Sequence, residues 1–171
     1  MKHFFLVLSI SFAITTVTAQ SPYISSTDER HADQIILNGI ITKYALANDS
    51  SYKKWYSSNQ NAYKPAVGIL NILEAAKEKY QFVIFGGTWC EDTQFILPKF
   101  FKLQEQSGFP DKSISFFAVD RKKHTVGNID AAFNITNVPT IIVMKDGKEI
   151  GRVVEYGKTG QWDKELSELL K

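Results

Sequence analysis

Trp89-Cys90-Glu91-Asp92-Thr93 contains the only cysteine of the 171-residue chain, and it follows closely on the apolar run Phe82-Val83-Ile84-Phe85. A strand that delivers a thiol to the first turn of a helix places it among unpaired backbone N–H groups at the positive end of the helix dipole. Both favour the thiolate, the nucleophilic form of cysteine. Glu91 and Asp92 pull in two directions. In the first helical turn each helps the helix by about 0.3 to 1 kcal/mol, while like charge beside a thiolate opposes ionisation, so both count as modulating residues. Thr93 lies one helical turn from Cys90, which predicts a hydroxyl facing the sulfur and donating a hydrogen bond to the thiolate. Trp89 is expected to shield and pack beside the sulfur.

The elements that must position this segment are legible on either side of it. Gln81 to Phe85 is a short, nearly continuous apolar strand, the pattern of a strand covered on both faces, and Gly86-Gly87 ends it. A helix then runs from about Cys90 to Gln106, with Phe95, Leu97, Phe101 and Leu103 among its apolar positions and Pro98 as a source of a kink. Ile114 to Val119 reads as a second strand, Ile129 to Phe133 as a short helix, and Ile141 to Met144 as a third strand. Asp146-Gly147 turns this strand into a fourth, Glu149 to Glu155, and Trp162, Leu166, Leu169 and Leu170 form the stripe of a closing helix.

Upstream, Lys64-Pro65 places a proline at the first position of a helix bearing Ala66, Ile69, Leu70, Leu73 and Ala76. Asp49 caps another helix through about Ser58, with Tyr52, Trp55 and Tyr56 as a packing stripe. Ile35-Ile36-Leu37 and Ile40-Ile41 flank Asn38-Gly39, the signal of a two-residue hairpin, and residues 20–31 read as a loose polar segment. The order from residue 65, α-β-α-β-α-β-β-α, implies an α/β fold with a mixed central sheet flanked by helices, preceded by an N-terminal hairpin and helix extension.

Composition sets outer bounds. Residues 1–19 combine Lys2, an apolar stretch from Phe4 to Ala13 and the small residues Val17-Thr18-Ala19, the makeup of a cleaved signal peptide. The Thr15-Thr16 break interrupts that stretch before it reaches the roughly 20 residues of a membrane span. The division expected is therefore a signal peptide at 1–19, an extension at 20–64 and a main domain at 65–171. Export to the periplasm or the medium follows, without stable membrane insertion after cleavage. A net charge of +2 for the whole chain gives no reason to expect a nucleic-acid partner. The basic run Arg121-Lys122-Lys123-His124 reads as solvated loop. No metal is expected, because the histidines of the exported chain, His31 and His124, have no ligand spacing to each other or to Cys90.

The chain resembles the thioredoxin family over roughly residues 65–171. Trp89-Cys90 is similar to the family's Trp-Cys at the strand-to-helix turn. Pro98 matches a proline kept eight residues after that cysteine, Val138-Pro139-Thr140 resembles the cis-proline segment, and Asp146-Gly147 opens the final hairpin at the family's distance. The resemblance implies a thioredoxin-like fold and a substrate groove in which Trp89, Val138 and Pro139 line the path of an extended peptide, with the Val138 backbone exposed to pair with it. Two positions depart from the pattern. Thr93 replaces the second cysteine of dithiol members, as serine does in monothiol glutaredoxins, and Ile84 replaces the buried acid of thioredoxin itself.

A CxxT variant of this kind has Cys90 as nucleophile and Thr93 beside it, with no resolving sulfur. A dithiol protein releases its substrate by intramolecular attack; a single thiol must wait for a second molecule. This favours mixed-disulfide reduction, isomerisation or deglutathionylation on cysteine-containing proteins or peptides. Glutathione or another small thiol would act as co-substrate, and the protein would work as a monomer with no bound cofactor. The competing readings are a non-catalytic peptide-binding or chaperone-like module that kept the groove, and a subunit linked through an intermolecular disulfide. A peroxidase lacks a resolving thiol and a recognisable arginine near Cys90.

Overall fold

The computed structural model describes residues 21–171, so the expected signal peptide at 1–19 lies outside the described residues. A six-stranded mixed sheet runs through the molecule: β1 (Tyr23–Thr27), β2 (Ile35–Ile41), β3 (Gln81–Gly86), β4 (Ile114–Ala118), β5 (Thr140–Lys145) and β6 (Lys148–Val154). Their spatial order is β1-β2-β4-β3-β5-β6. Only β3 and β4 pair in parallel; the other four pairings are antiparallel. The parallel pair requires a crossover, which α4 (Glu91–Ser107) supplies. The helices α1 (Lys43–Asn48), α2 (Ser50–Ala62), α3 (Val67–Ala76), α5 (Ile129–Ala132) and α6 (Trp162–Glu168) complete the fold.

Alternation along β3 and β5 separates two cores. Phe82 and Ile84, with Ile141 and Val143, join a large apolar cluster that takes in Leu46, Tyr56, Leu73, Phe100 and Leu166 from α1, α2, α3, α4 and α6. Phe85 and Ile142 point the other way, into a small cluster with Val119 and Val138, packed against Trp89, Cys90, Ile129 and Phe133. The β5–β6 turn is the expected tight hairpin, with φ of 51° at Asp146 and 74° at Gly147. Pro98 sits buried inside α4, which continues past it to a left-handed Gly108 cap. Phe95, expected among that helix's packing positions, is 41% exposed.

The N-terminal part departs most from expectation. Asn38-Gly39 is not a turn: β2 runs unbroken through it, and the hairpin lies one strand earlier, between β1 and β2. Gly39 adopts φ +122°, and a Cβ there would come within 2.6 Å of the Pro22 carbonyl oxygen, so it serves close backbone approach. Asn38 spends its side chain on a neighbouring loop, donating to the His124 carbonyl and accepting from the Val126 N–H. The segment read as loose contains β1, four of whose five residues are exposed. Because β2 pairs with β4, residues 23–41 extend the same sheet that β3 to β6 build. Pro65 falls just outside α3, whose cap is Ala66. Asp49 caps α2 as expected, its carboxylate accepting from the Ser51 N–H at 2.8 Å.

Candidate functional site

Cys90 is the N-cap of α4, with extended backbone angles and its carbonyl accepting the Gln94 N–H at 3.0 Å. The thiol is partly exposed and donates to the Val138 carbonyl at 3.3 Å. The Val138–Pro139 peptide bond is cis. Strand β3, helix α4 and the loop entering β5 thus converge on one sulfur. Val138 is 2% exposed and its carbonyl is occupied by the thiol, which corrects the expectation of an open Val138 backbone.

Thr93 lies on the turn below the sulfur but bonds elsewhere. Its Oγ1 accepts the Gly87 N–H at 3.2 Å and the residue is 1% exposed, so it fastens the end of β3 to the start of α4 rather than donating to Cys90. Gly87 has its own constraint: an added Cβ would stand 2.6 Å from the Trp89 ring. The Trp89 indole N–H donates to the Val119 carbonyl at 3.0 Å, fixing the ring over the smaller core.

The N-terminal strands and α2 hold this loop from behind. Thr88 is 5% exposed; its hydroxyl donates to the Ile35 carbonyl at 3.1 Å and accepts the Leu37 N–H at 3.3 Å. Gln94 donates to the Thr88 carbonyl, and the Asn59 amide donates to the Gln94 carbonyl. Thr88 drew no notice in the sequence because a single threonine beside a Trp-Cys pair carries no periodic or spacing signal.

Arg121 corrects the reading of its run as solvated loop, and it supplies an arginine close to the cysteine-bearing loop. Its guanidinium lies 5.1 Å from the centre of the Trp89 ring and is paired with the buried carboxylate of Asp28, which leaves its side chain 20% exposed. That pairing, chiefly the Arg121 hydrogen bonds, lowers the Asp28 pKa to about 2. His124 is an exposed side chain hydrogen-bonded to the buried Asp130.

On the other flank, Phe95 and Tyr156 pack with ring centres 5.8 Å apart and planes tilted by 49°, and both are more than a third exposed. Burial and then the neighbouring Asp92 carboxylate raise the Tyr156 pKa. Glu91 is exposed at the helix start. Among the described residues no group of three His, Cys, Asp or Glu side chains is arranged to hold a metal, and no helix is long and apolar enough to cross a membrane.

A parallel β-α-β unit, an antiparallel hairpin and a cysteine at a helix start facing a cis-proline loop define a thioredoxin-fold protein with one thiol. Residues 71–168 match the thioredoxin family, and the chain belongs to that family. The thioredoxin of Mycoplasma genitalium is 34% identical over 79 residues, covering 46% of this chain and 72% of that one. A thioredoxin-like protein of Acanthamoeba polyphaga mimivirus is 33% identical over 76 residues, 44% of this chain, and the match spans only 53% of its length. Among solved structures, an HIV epitope-scaffold aligns with a TM-score of 0.53 at 13% identity over 78% of this chain and 90% of its own, a likeness of fold alone.

Proposed function

We propose that this protein is an exported monothiol member of its family that carries out thiol–disulfide exchange through Cys90. The carrying observation is a partly exposed Cys90 at the head of α4 together with a buried Thr93 at the position where a second sulfur would resolve the intermediate. Family membership supports thiol–disulfide chemistry in general; the single-thiol route is the reading that these two residues support.

In this route the Cys90 thiolate attacks one sulfur of a mixed disulfide between a protein or peptide and a small thiol such as glutathione. A new S–S bond forms to Cys90, the old one breaks, and its electron pair leaves on the substrate sulfur, which takes up a proton. A second small thiol then attacks the sulfur bound to Cys90, regenerating the Cys90 thiolate and releasing the oxidised small thiol. No residue replaces that second molecule, because Thr93 carries a hydroxyl where a resolving sulfur would stand and Cys90 is the chain's only cysteine. Trp89, the cis Val138–Pro139 segment and the Phe95–Tyr156 pair surround the path of the incoming peptide. The protein works as a monomer without a bound cofactor, and residues 1–19 direct its export to the periplasm or the medium and are removed.

The test compares wild type with Cys90→Ser on glutathionylated and on intramolecularly disulfide-bonded peptides, with glutathione as reductant. Turnover of the glutathionylated peptide, lost in Cys90→Ser, is the expected result. An inert wild type whose peptide affinity equals that of Cys90→Ser would sink the exchange reading in favour of a binding module. Mass spectrometry of the exported chain checks cleavage after residue 19.

A further inference from the structure

Arg121 leaves β4 on a loop, and its position is fixed from two sides. Its Nε donates to Oδ1 of Asp28 at 2.6 Å and its Nη2 donates to Oδ2, a two-point clamp. Asp28 is itself held: it is 1% exposed, its Oδ1 accepts the Arg30 N–H at 3.0 Å, and its own N–H donates to the Gln34 carbonyl. From the other side the guanidinium lies against the Trp89 ring, whose indole N–H is anchored to Val119. Trp89 precedes Cys90 in the chain, so the clamp holds a cation beside the reacting loop.

The Asp28 hydrogen bond is the first cause of Arg121 being held protonated. A guanidinium held against the ring of the residue before Cys90 brings positive charge to the loop that carries the sulfur, and opposite charge nearby favours a thiolate. Glu91 and Asp92 on the first turn of α4 and Tyr156 after β6 are further titratable groups on this side of the molecule. The carboxylates among them oppose a thiolate.

We infer that Arg121 is a positioning residue that stabilises the Cys90 thiolate through space, and that Asp28, in the connection after β1, sets how much of its charge reaches the sulfur. The inference rests on the reading of Cys90 as the reacting thiol, and gives the segment before residue 64 a part in that chemistry. It also separates an electrostatic role from a merely structural one, because the two partners carry opposite charge.

The experiment measures the rate of Cys90 alkylation by iodoacetamide against pH in the whole exported chain. At about pH 6, Arg121→Gln leaves the Asp28 charge uncompensated and slows alkylation roughly three- to tenfold, whereas Asp28→Asn unmasks the guanidinium and speeds it by a similar factor. The doubly substituted chain, neutral like the native pair, returns to within about twofold of wild type, and Arg121→Lys stays there too. A loosened loop would instead move both single variants the same way and the double variant further; that result overturns the inference. If Asp28→Asn does not fold by circular dichroism, position 121 decides: equal rates for the Lys and Gln variants overturn it. Alkylation needs no turnover, so loss of peptide exchange with this pattern intact would count against the proposed function alone. Normal exchange with no charge-dependent alkylation would count against the Arg121 role alone.

Discussion

On one face of the sheet Phe82, Ile84, Ile141 and Val143 share an apolar cluster with five helices; on the other, Phe85 and Ile142 lie beneath one four-residue helix and the loops bearing Trp89, Cys90 and Val138. The first face is a deep, apolar core. The second is thin, and its cover is held by hydrogen bonds from side chains and loop backbone: Trp89 to Val119, Cys90 to Val138, and Thr88 to Ile35 and Leu37. A thiol that must meet a substrate cannot sit in a deep core, and a loop left to itself would not hold it in one geometry. The molecule places stability on one side and reactivity on the other, with β3 contributing alternate residues to both.

Substitutions on the two faces should therefore separate stability from activity. The largest expected effect is on the deep face: Phe100→Ala removes a fully buried ring and costs about 3 to 5 kcal/mol, against about 1 to 2 kcal/mol for the partly exposed Phe133→Ala on the thin face. Urea unfolding measures both; equal losses would erase the contrast. Gly87→Ala comes next. Its methyl group displaces the Trp89 ring and slows thiol exchange roughly ten- to hundredfold while the urea midpoint moves little, an outcome read from peptide turnover and tryptophan fluorescence. Thr88→Val removes a buried hydroxyl with two partners and keeps its shape, leaving the Leu37 N–H unpaired while the Ile35 carbonyl keeps the Tyr52 hydroxyl as donor. It costs about 1 to 3 kcal/mol and raises amide exchange at Leu37, which hydrogen-exchange mass spectrometry detects.

The smallest effect is on pH dependence. Asp28 titrates near 2 in the folded chain against an ordinary 3.8, so the unfolded chain binds more protons in the interval between. Its contribution to stability is complete above about pH 5 and is lost as pH falls through about 2. The gap in urea midpoint between wild type and Asp28→Asn should accordingly hold constant above about pH 5 and close on acidification. A gap that persists unchanged at about pH 2 would show that Asp28 acts by packing and not by charge.

Much of this was legible in the sequence, and the failures share a cause. The strands and helices from Gln81 onward follow from apolar runs, turn residues and the Trp-Cys and Val-Pro segments, which act locally. Asn38-Gly39 was misread because its dipeptide has two physical uses, a tight turn and a close backbone approach, and only the partner strand at Pro22 decides between them. Strand β1 is polar because it is an exposed edge, so it lacks the apolar alternation that marks a strand. Thr93 was placed correctly one turn below Cys90, but its hydroxyl took the nearer backbone donor at Gly87. Arg121 looked like solvent-facing charge because its partner, Asp28, lies 93 residues away in the chain.

The Thr88 hydroxyl binds two backbone groups of one strand, so the redox loop is laid against β2 much as a neighbouring strand would be. Portability is the casualty. The segment 71–168 that carries the family likeness could be grafted into another protein with its sulfur, its cis-proline loop and its hairpin all present. The graft would arrive with a buried hydroxyl seeking two partners, an arginine without its carboxylate, and β4 as a raw edge. A functional transplant of this site would have to begin near residue 21.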